Sequence, residues 1–158
     1  MPSSPPPGRI TDFDFLQGSW TVHNRRLKKR WTRTPEWDEF PSTNTFQKLL
    51  GGQVNVDENH FPTRDFSGLS FRVFDAERQR WAIYWVSSLR GDLFPPVFGG
   101  FEGNRGLFEG QDVDEGKPVH VRFHWTVFGL DSARWEQEFS LDGEVWEKNW
   151  VADFTRQK

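Results

Sequence analysis

The sequence predicts one all-β domain, a single antiparallel up-and-down barrel of about 8–10 strands entered through a short N-terminal helical turn. Three observations carry this. Short runs alternate apolar and polar residues between clusters of Gly, Asp, Asn and Pro, the mark of many strands joined by tight turns. No stretch shows an apolar period of 3.6, which argues against a bundle or a parallel α/β sheet. The 158 residues are only 35% hydrophobic yet include nine Trp and 16 Phe, so one core, built largely of rings, is the expectation.

In chain order, residues 1–10 are Pro- and Ser-rich and are set aside as a flexible tail, leaving 11–158 as the domain. A helical turn is expected at 12–17, "DFDFLQ". Strands follow near 19–29, 38–48, 53–61, 68–74, 80–88, 97–102, 106–113, 118–128, 132–141 and 145–156. The basic run at 25–30, "RRLKKR", projects to both faces of the first strand and reads as a solvated edge rather than a phosphate-binding patch. In the fourth and fifth strands, Leu69, Phe71 and Val73 alternate with Ser70 and Arg72, and Trp81, Ile83 and Trp85 alternate in turn; both apolar sets are placed inside. Gly99, Gly100, Gly103, Gly106 and Gly110 are expected to supply bends or bulges.

Register can be argued for the last three strands. A turn at Gly129-Leu130-Asp131 sets Trp125 opposite Trp135, Phe123 opposite Gln137 and Val121 opposite Phe139, with His124–Glu136 and Arg122–Glu138 as charge pairs on the wet face. A two-residue turn at Asp142-Gly143 sets Phe139 opposite Trp146, Gln137 opposite Lys148 and Trp135 opposite Trp150. One apolar face per strand can be hidden by stacking two sheets or by closure, and closure also removes the edges, so a barrel is preferred.

The opening "FLQGSWTV", with Gly18-x-Trp20, resembles the Gly-x-Trp start of lipocalins and other calycin barrels, and Arg156 in "WVADFTR" matches the late Arg that packs over this Trp. The segments "RWAIYWVSS", "VRFHWTVF", "ARWEQEFSLDG" and "WEKNWVADF" resemble a group of uncharacterised bacterial lipocalin-like proteins over most of residues 12–156. The resemblance implies a cavity-forming barrel with a small, mostly apolar ligand and transfers no catalytic residue. The chain departs from secreted lipocalins in having no cysteine, which puts extracellular transport in doubt.

The absence of cysteine also excludes disulfides and thiolate chemistry. A net charge of -3 with mixed signs gives no basic field for nucleic acid. No segment is apolar for long enough to span a bilayer, and a cytoplasmic location is the default expectation. His120 and His124 share a strand face but lie roughly 13 Å apart along it, too far for one zinc, so no metal site is expected. Glu136 and Glu138, roughly 7 Å apart, lie on the wet face and read as paired surface charges. No nucleophile elbow, phosphate loop or dinucleotide fingerprint is present.

The expected function is therefore binding of a small hydrophobic or aromatic molecule in the lumen, without a cofactor, with neither nucleic acid nor membrane as partner and with a homodimer left open. The candidate ligand-binding set is Trp85, Phe123, Trp125, Trp135 and Trp150 as walls, Gln137 and Lys148 as polar anchors, and Arg90 in the rim segment "SLRGDLFPPVFGG". If a bulge shifts the last strand, Asn149 replaces Lys148 beside Gln137; otherwise such a bulge turns Lys148 outward and leaves Gln137 on a backbone carbonyl. The rival functions are a cofactor-independent isomerase, cyclase or lyase in the same cavity, and a barrel filled by its own rings that serves protein interaction.

Overall fold

The computed structural model describes residues 4–158. Ten strands, β1 (Gly18–Leu27), β2 (Trp37–Leu49), β3 (Val54–Phe61), β4 (Phe66–Asp75), β5 (Arg80–Ser87), β6 (Val97–Glu102), β7 (Arg105–Asp114), β8 (Lys117–Gly129), β9 (Ser132–Ser140) and β10 (Glu147–Arg156), pair consecutively and antiparallel. β10 closes on β1, so no strand edge is left open. The N-terminal turn is the 3-10 helix Asp14–Leu16.

The closed end is built from the first residues of the domain. Phe13 packs edge-on against Trp81 at 5.2 Å and Phe101 at 5.4 Å, and Phe15 against Trp125 at 5.5 Å. Arg156 lies over the Trp20 ring at 4.2 Å and donates to the carbonyls of Leu130, Phe15 and Gln17. Gly18 sits at φ +101° with space for a Cβ only 3.1 Å from that guanidinium, which explains the glycine in Gly-x-Trp: the conformation and the close approach both exclude a side chain. The expected tail reaches further into the fold than its composition suggests. Gly8 is buried and donates its N–H to the Gln79 carbonyl at 2.7 Å, and the Arg9 carbonyl accepts from Trp81 Nε1 at 2.9 Å. Residues 1–3 of that segment lie outside the described residues.

The β8–β9 register is the expected one, with Trp125↔Trp135, Phe123↔Gln137 and Val121↔Phe139. The β9–β10 register is not. Phe139 faces Glu147 and Gln137 faces Trp150, with a bulge between Lys148 and Trp150. The cause is Asp142: its carboxylate accepts the N–H groups of Glu144 and Val145 at 2.8 and 2.9 Å, which widens the expected tight turn into a loop over 141–146. Trp146 consequently leaves the aromatic face and lies on the outside beneath Arg122, 3.9 Å away. The β6–β7 pair, where glycine bulges were expected, runs without a register shift.

β4 is turned over relative to expectation. A four-residue turn over 76–79 pairs Ser70 with Trp85 and Arg72 with Ile83. Ser70 and Arg72 therefore face inward beside the tryptophans, and Phe71 stacks on Tyr84 outside at 4.8 Å. The basic run is corrected in the same way. With no edge to protect, Arg26 and Arg30 line the lumen, while Lys28 pairs outside with Glu36.

Candidate functional site

Above the aromatic plug the barrel encloses a cavity of about 210 Å³. It opens at the end carrying the loops 28–36, 88–96 and 115–116, since Arg30, Phe94, Pro95 and Asp114 reach its lining. Its wall is divided. β5 to β10 present rings: Trp135 meets Trp150 at 5.5 Å and Phe123 at 5.0 Å, and Trp150 meets Trp85 at 6.4 Å, all close to perpendicular. Edge-to-face contacts of this kind hold each ring in one orientation. Gly68 makes room for this wall, because a Cβ there would lie 1.9 Å from the Trp85 ring.

β1 to β4 present polar groups instead. Asn24 accepts from Trp150 Nε1 at 3.0 Å and donates to Ser42 Oγ at 2.8 Å. Asn44 donates to Asn59 Oδ1 at 3.0 Å. At the floor, Arg72 donates to Asn55 Oδ1 at 2.8 Å and Asp57 Oδ2 at 2.9 Å, and its guanidinium lies 4.6 Å over the Phe13 ring. Arg72 and Asp57 are each 3% exposed in their side chains. Asp57 Oδ1 and Arg72 Nε have no partner in the protein, which is uncommon for buried polar atoms and marks a place where a ligand group can bond.

At the mouth, Arg30 grips Asp114 through Nε at 2.6 Å and Nη2 at 2.5 Å, and this hydrogen bond raises the Arg30 pKa. Arg64 holds Asp38 in the same bidentate way, which keeps the Asp38 carboxyl below its ordinary pKa. Arg26 lies between them, stacked 4.5 Å over the Trp150 ring. Burial and the neighbouring Arg30 charge lower its pKa, but an arginine remains charged regardless.

Of the residues singled out from sequence, Trp85, Phe123, Trp125, Trp135, Gln137 and Trp150 all line this cavity. Arg90 does not: it is exposed, bonds Asp92 at 2.9 Å and covers Phe94 at 3.9 Å. Lys148 does not either, because the bulge turns it outward onto Glu136 at 2.5 Å. Gln137 instead donates to Asn149 Oδ1 at 2.8 Å, the partner foreseen for a shifted strand. Glu138 lies outside, bonded to His124 Nε2 at 2.7 Å, so the two carboxylates are both held in surface ion pairs. The polar half of the wall, Asn24, Arg26, Asn59, Ser70 and Arg72, was not placed in the lumen from the sequence. Its signal was present: counting across the 76–79 turn places Ser70 and Arg72 opposite Trp85 and Ile83.

No family model matches the chain, and no curated protein matches it. Solved structures do. An S-type phycobiliprotein lyase CPES from Guillardia theta is similar over 92% of this chain and 90% of its own, with a TM-score of 0.55 at 10% identity. A redesigned β-barrel is similar over 96% of this chain and 99% of its own, with a TM-score of 0.52 at 11% identity. At such identities the likeness is one of fold, and the fold is that of a lipocalin-like ten-stranded barrel.

Proposed function

We propose that this barrel binds a compact, flat aromatic molecule that lies against Trp85, Trp135 and Trp150 and directs a hydrogen-bond donor at Asp57. The observation that carries the reading is the buried carboxylate oxygen Asp57 Oδ1, partnerless in the protein, in a residue that lines a cavity walled on its other side by rings. A donor on the ligand satisfies that oxygen, and the rings exclude water from the bond, which strengthens it. At about 210 Å³ the cavity is smaller than the ~300 Å³ at which drug-sized sites begin, so ligands of one or two rings fit best. The plug fills only the closed half of the barrel, and this favours an open lumen over a barrel filled by its own side chains.

Native mass spectrometry of freshly purified protein, followed by release and identification of any retained molecule, tests the reading. A thermal-shift panel of one- and two-ring phenols and arylamines complements it. At a hundredfold excess over Kd a ligand contributes about 2.7 kcal/mol, which at about 2.1 cal/mol/K per residue raises Tm by about 8 °C. An empty protein with no shift from any panel member refutes the proposal. A second reading, a cofactor-independent isomerase, cyclase or lyase, is favoured by the same Asp57, since a fixed carboxylate beside a ring system is also placed to take a proton.

A further inference from the structure

We propose that Arg26 is an anion anchor at the mouth of the lumen, and that the ligand carries a carboxylate or similar anionic group on the side away from Asp57. The inference rests on the lumen-binding reading above and adds the ligand's charge to it.

The charge inventory at the mouth supports it. Three guanidiniums, Arg26, Arg30 and Arg64, stand at the mouth with the carboxylates Asp38, Asp112, Asp114 and Glu147. Arg30 takes Asp114 with two hydrogen bonds and Arg64 takes Asp38 with two. Arg26, although Asp38 and Asp114 both act on it electrostatically, makes no hydrogen bond or ion pair with any side chain among the described residues. It alone of the three has no acceptor. Glu147 accepts the Trp31 N–H at 3.0 Å and Asp112 Oδ1 the Val113 N–H at 2.7 Å, and neither forms an ion pair with Arg26. A half-buried guanidinium without an acceptor is costly, and its planar fork matches a carboxylate bidentately.

The placement also fits. Arg26 lines the cavity and lies 4.5 Å over Trp150, a ring of the aromatic wall. Contact with the Trp150 ring restrains the side chain, so less of its freedom is lost when an anion binds. Of the other guanidiniums that line the lumen, Arg30 is committed to Asp114 and Arg72, at the floor, to Asp57 and Asn55. An aryl acid with a hydroxyl or amino group opposite its carboxylate would meet Arg26 with one end and Asp57 with the other.

The test uses matched acid and primary-amide pairs: 4-hydroxybenzoate, 6-hydroxy-2-naphthoate and indole-3-acetate, each against its carboxamide, by isothermal titration calorimetry at neutral pH. The expected result is at least one pair in which the acid binds about tenfold or more tightly than the amide. In Arg26→Met the acid falls to the amide's affinity and the amide stays within about twofold, with Arg26→Lys intermediate because a point charge lacks the fork. Amides that bind as well as their acids in the wild-type protein overturn the anchor and leave the lumen reading standing, and this comparison needs no variant to fold. An acid preference that survives Arg26→Met overturns Arg26 as its source. Binding of neither member of any pair overturns the anchor and the lumen reading together.

Discussion

Arg72→Met removes the cation from the floor of the cavity, and the structure sets the cost. Arg72 and Asp57 are each 3% exposed and bonded at 2.9 Å. Without the guanidinium, Asp57 is a buried carboxylate with neither oxygen bonded to a side chain, a situation that costs about 3–5 kcal/mol. Unfolding a chain of 158 residues carries about 2.1 cal/mol/K per residue, so each kcal/mol moves Tm by about 3 °C and the expected fall is about 9–15 °C. Differential scanning calorimetry reads it directly. Replacing both partners, Arg72→Met with Asp57→Leu, removes the stranded charge and should bring stability back to within about 1–2 kcal/mol of wild type, since apolar isosteres often match a buried ion pair. Ligand affinity should not return. The pair would then be kept for recognition and not for stability. A fall of less than about 3 °C in the single variant, about 1 kcal/mol, refutes the reasoning, as does a double variant no more stable than the single one.

Four further outcomes follow from the geometry. Gly68→Ala places a methyl where the Trp85 ring lies and should cost about 1–3 kcal/mol by overpacking, with a shifted tryptophan emission spectrum as the ring is displaced. Arg156→Leu deletes donors to three carbonyls and the contact with Trp20; urea unfolding should show a loss of about 2–4 kcal/mol. Trp150→Phe strands Asn24 Oδ1 at about 1–3 kcal/mol and leaves a smaller ring beneath Arg26, so affinity for aryl acids should fall with stability. Asp142 is held below its ordinary pKa of 3.8 by the Val145 and Glu144 N–H groups and by Ser140. Because its folded pKa is depressed, the stability it contributes is present above about pH 4 and is lost as pH falls further through the folded value. The difference in Tm between wild type and Asp142→Ala should therefore shrink below pH 4, and a gap that widens there would contradict the assignment.

The architecture was legible because alternation and turn residues act locally. All ten strands were expected within a few residues of where they lie, and the Gly129-Leu130-Asp131 turn placed β8 on β9 in the right register. What failed was inference that needed longer-range facts. The β9–β10 register depended on whether Asp142 would cap a loop with its carboxylate or sit in a tight turn, and Asp-Gly serves both. The face of β4 was assigned from apolarity alone, with Leu69, Phe71 and Val73 against Ser70 and Arg72, and the apolar set proved to be outside. The turn over 76–79 settles that parity through Ile83 and Trp85. Arg26 and Arg30 were read as edge protection, which is meaningful only if β1 has a free edge, and closure with β10 removes it. The aromatic half of the candidate site and Gln137 were therefore visible in the sequence, and the polar wall of β1 to β4 was hidden, because Arg26, Ser70 and Arg72 were taken as outward.

That polar half is also where binding and catalysis part. Asp57 spends Oδ2 on Arg72 and keeps Oδ1 free. A ligand that only binds needs a hydrogen bond at that position, and Asp57→Asn, whose single oxygen stays on Arg72, still offers one by donating its NH2 to a phenol oxygen. Affinity for a phenol should then fall modestly, by about tenfold at most, as a charged acceptor is replaced by a neutral donor. A reaction that uses Asp57 to take a proton has no such tolerance, because an amide is not a base: turnover should fall by about 10²–10⁴ with binding retained. Once native mass spectrometry or the aryl-acid panel names a ligand, measuring its affinity and its conversion by wild type and Asp57→Asn separates the two. Conversion by neither protein with intact binding identifies a carrier. Conversion lost in the variant alone identifies an enzyme whose base is the carboxylate that Arg72 holds in place.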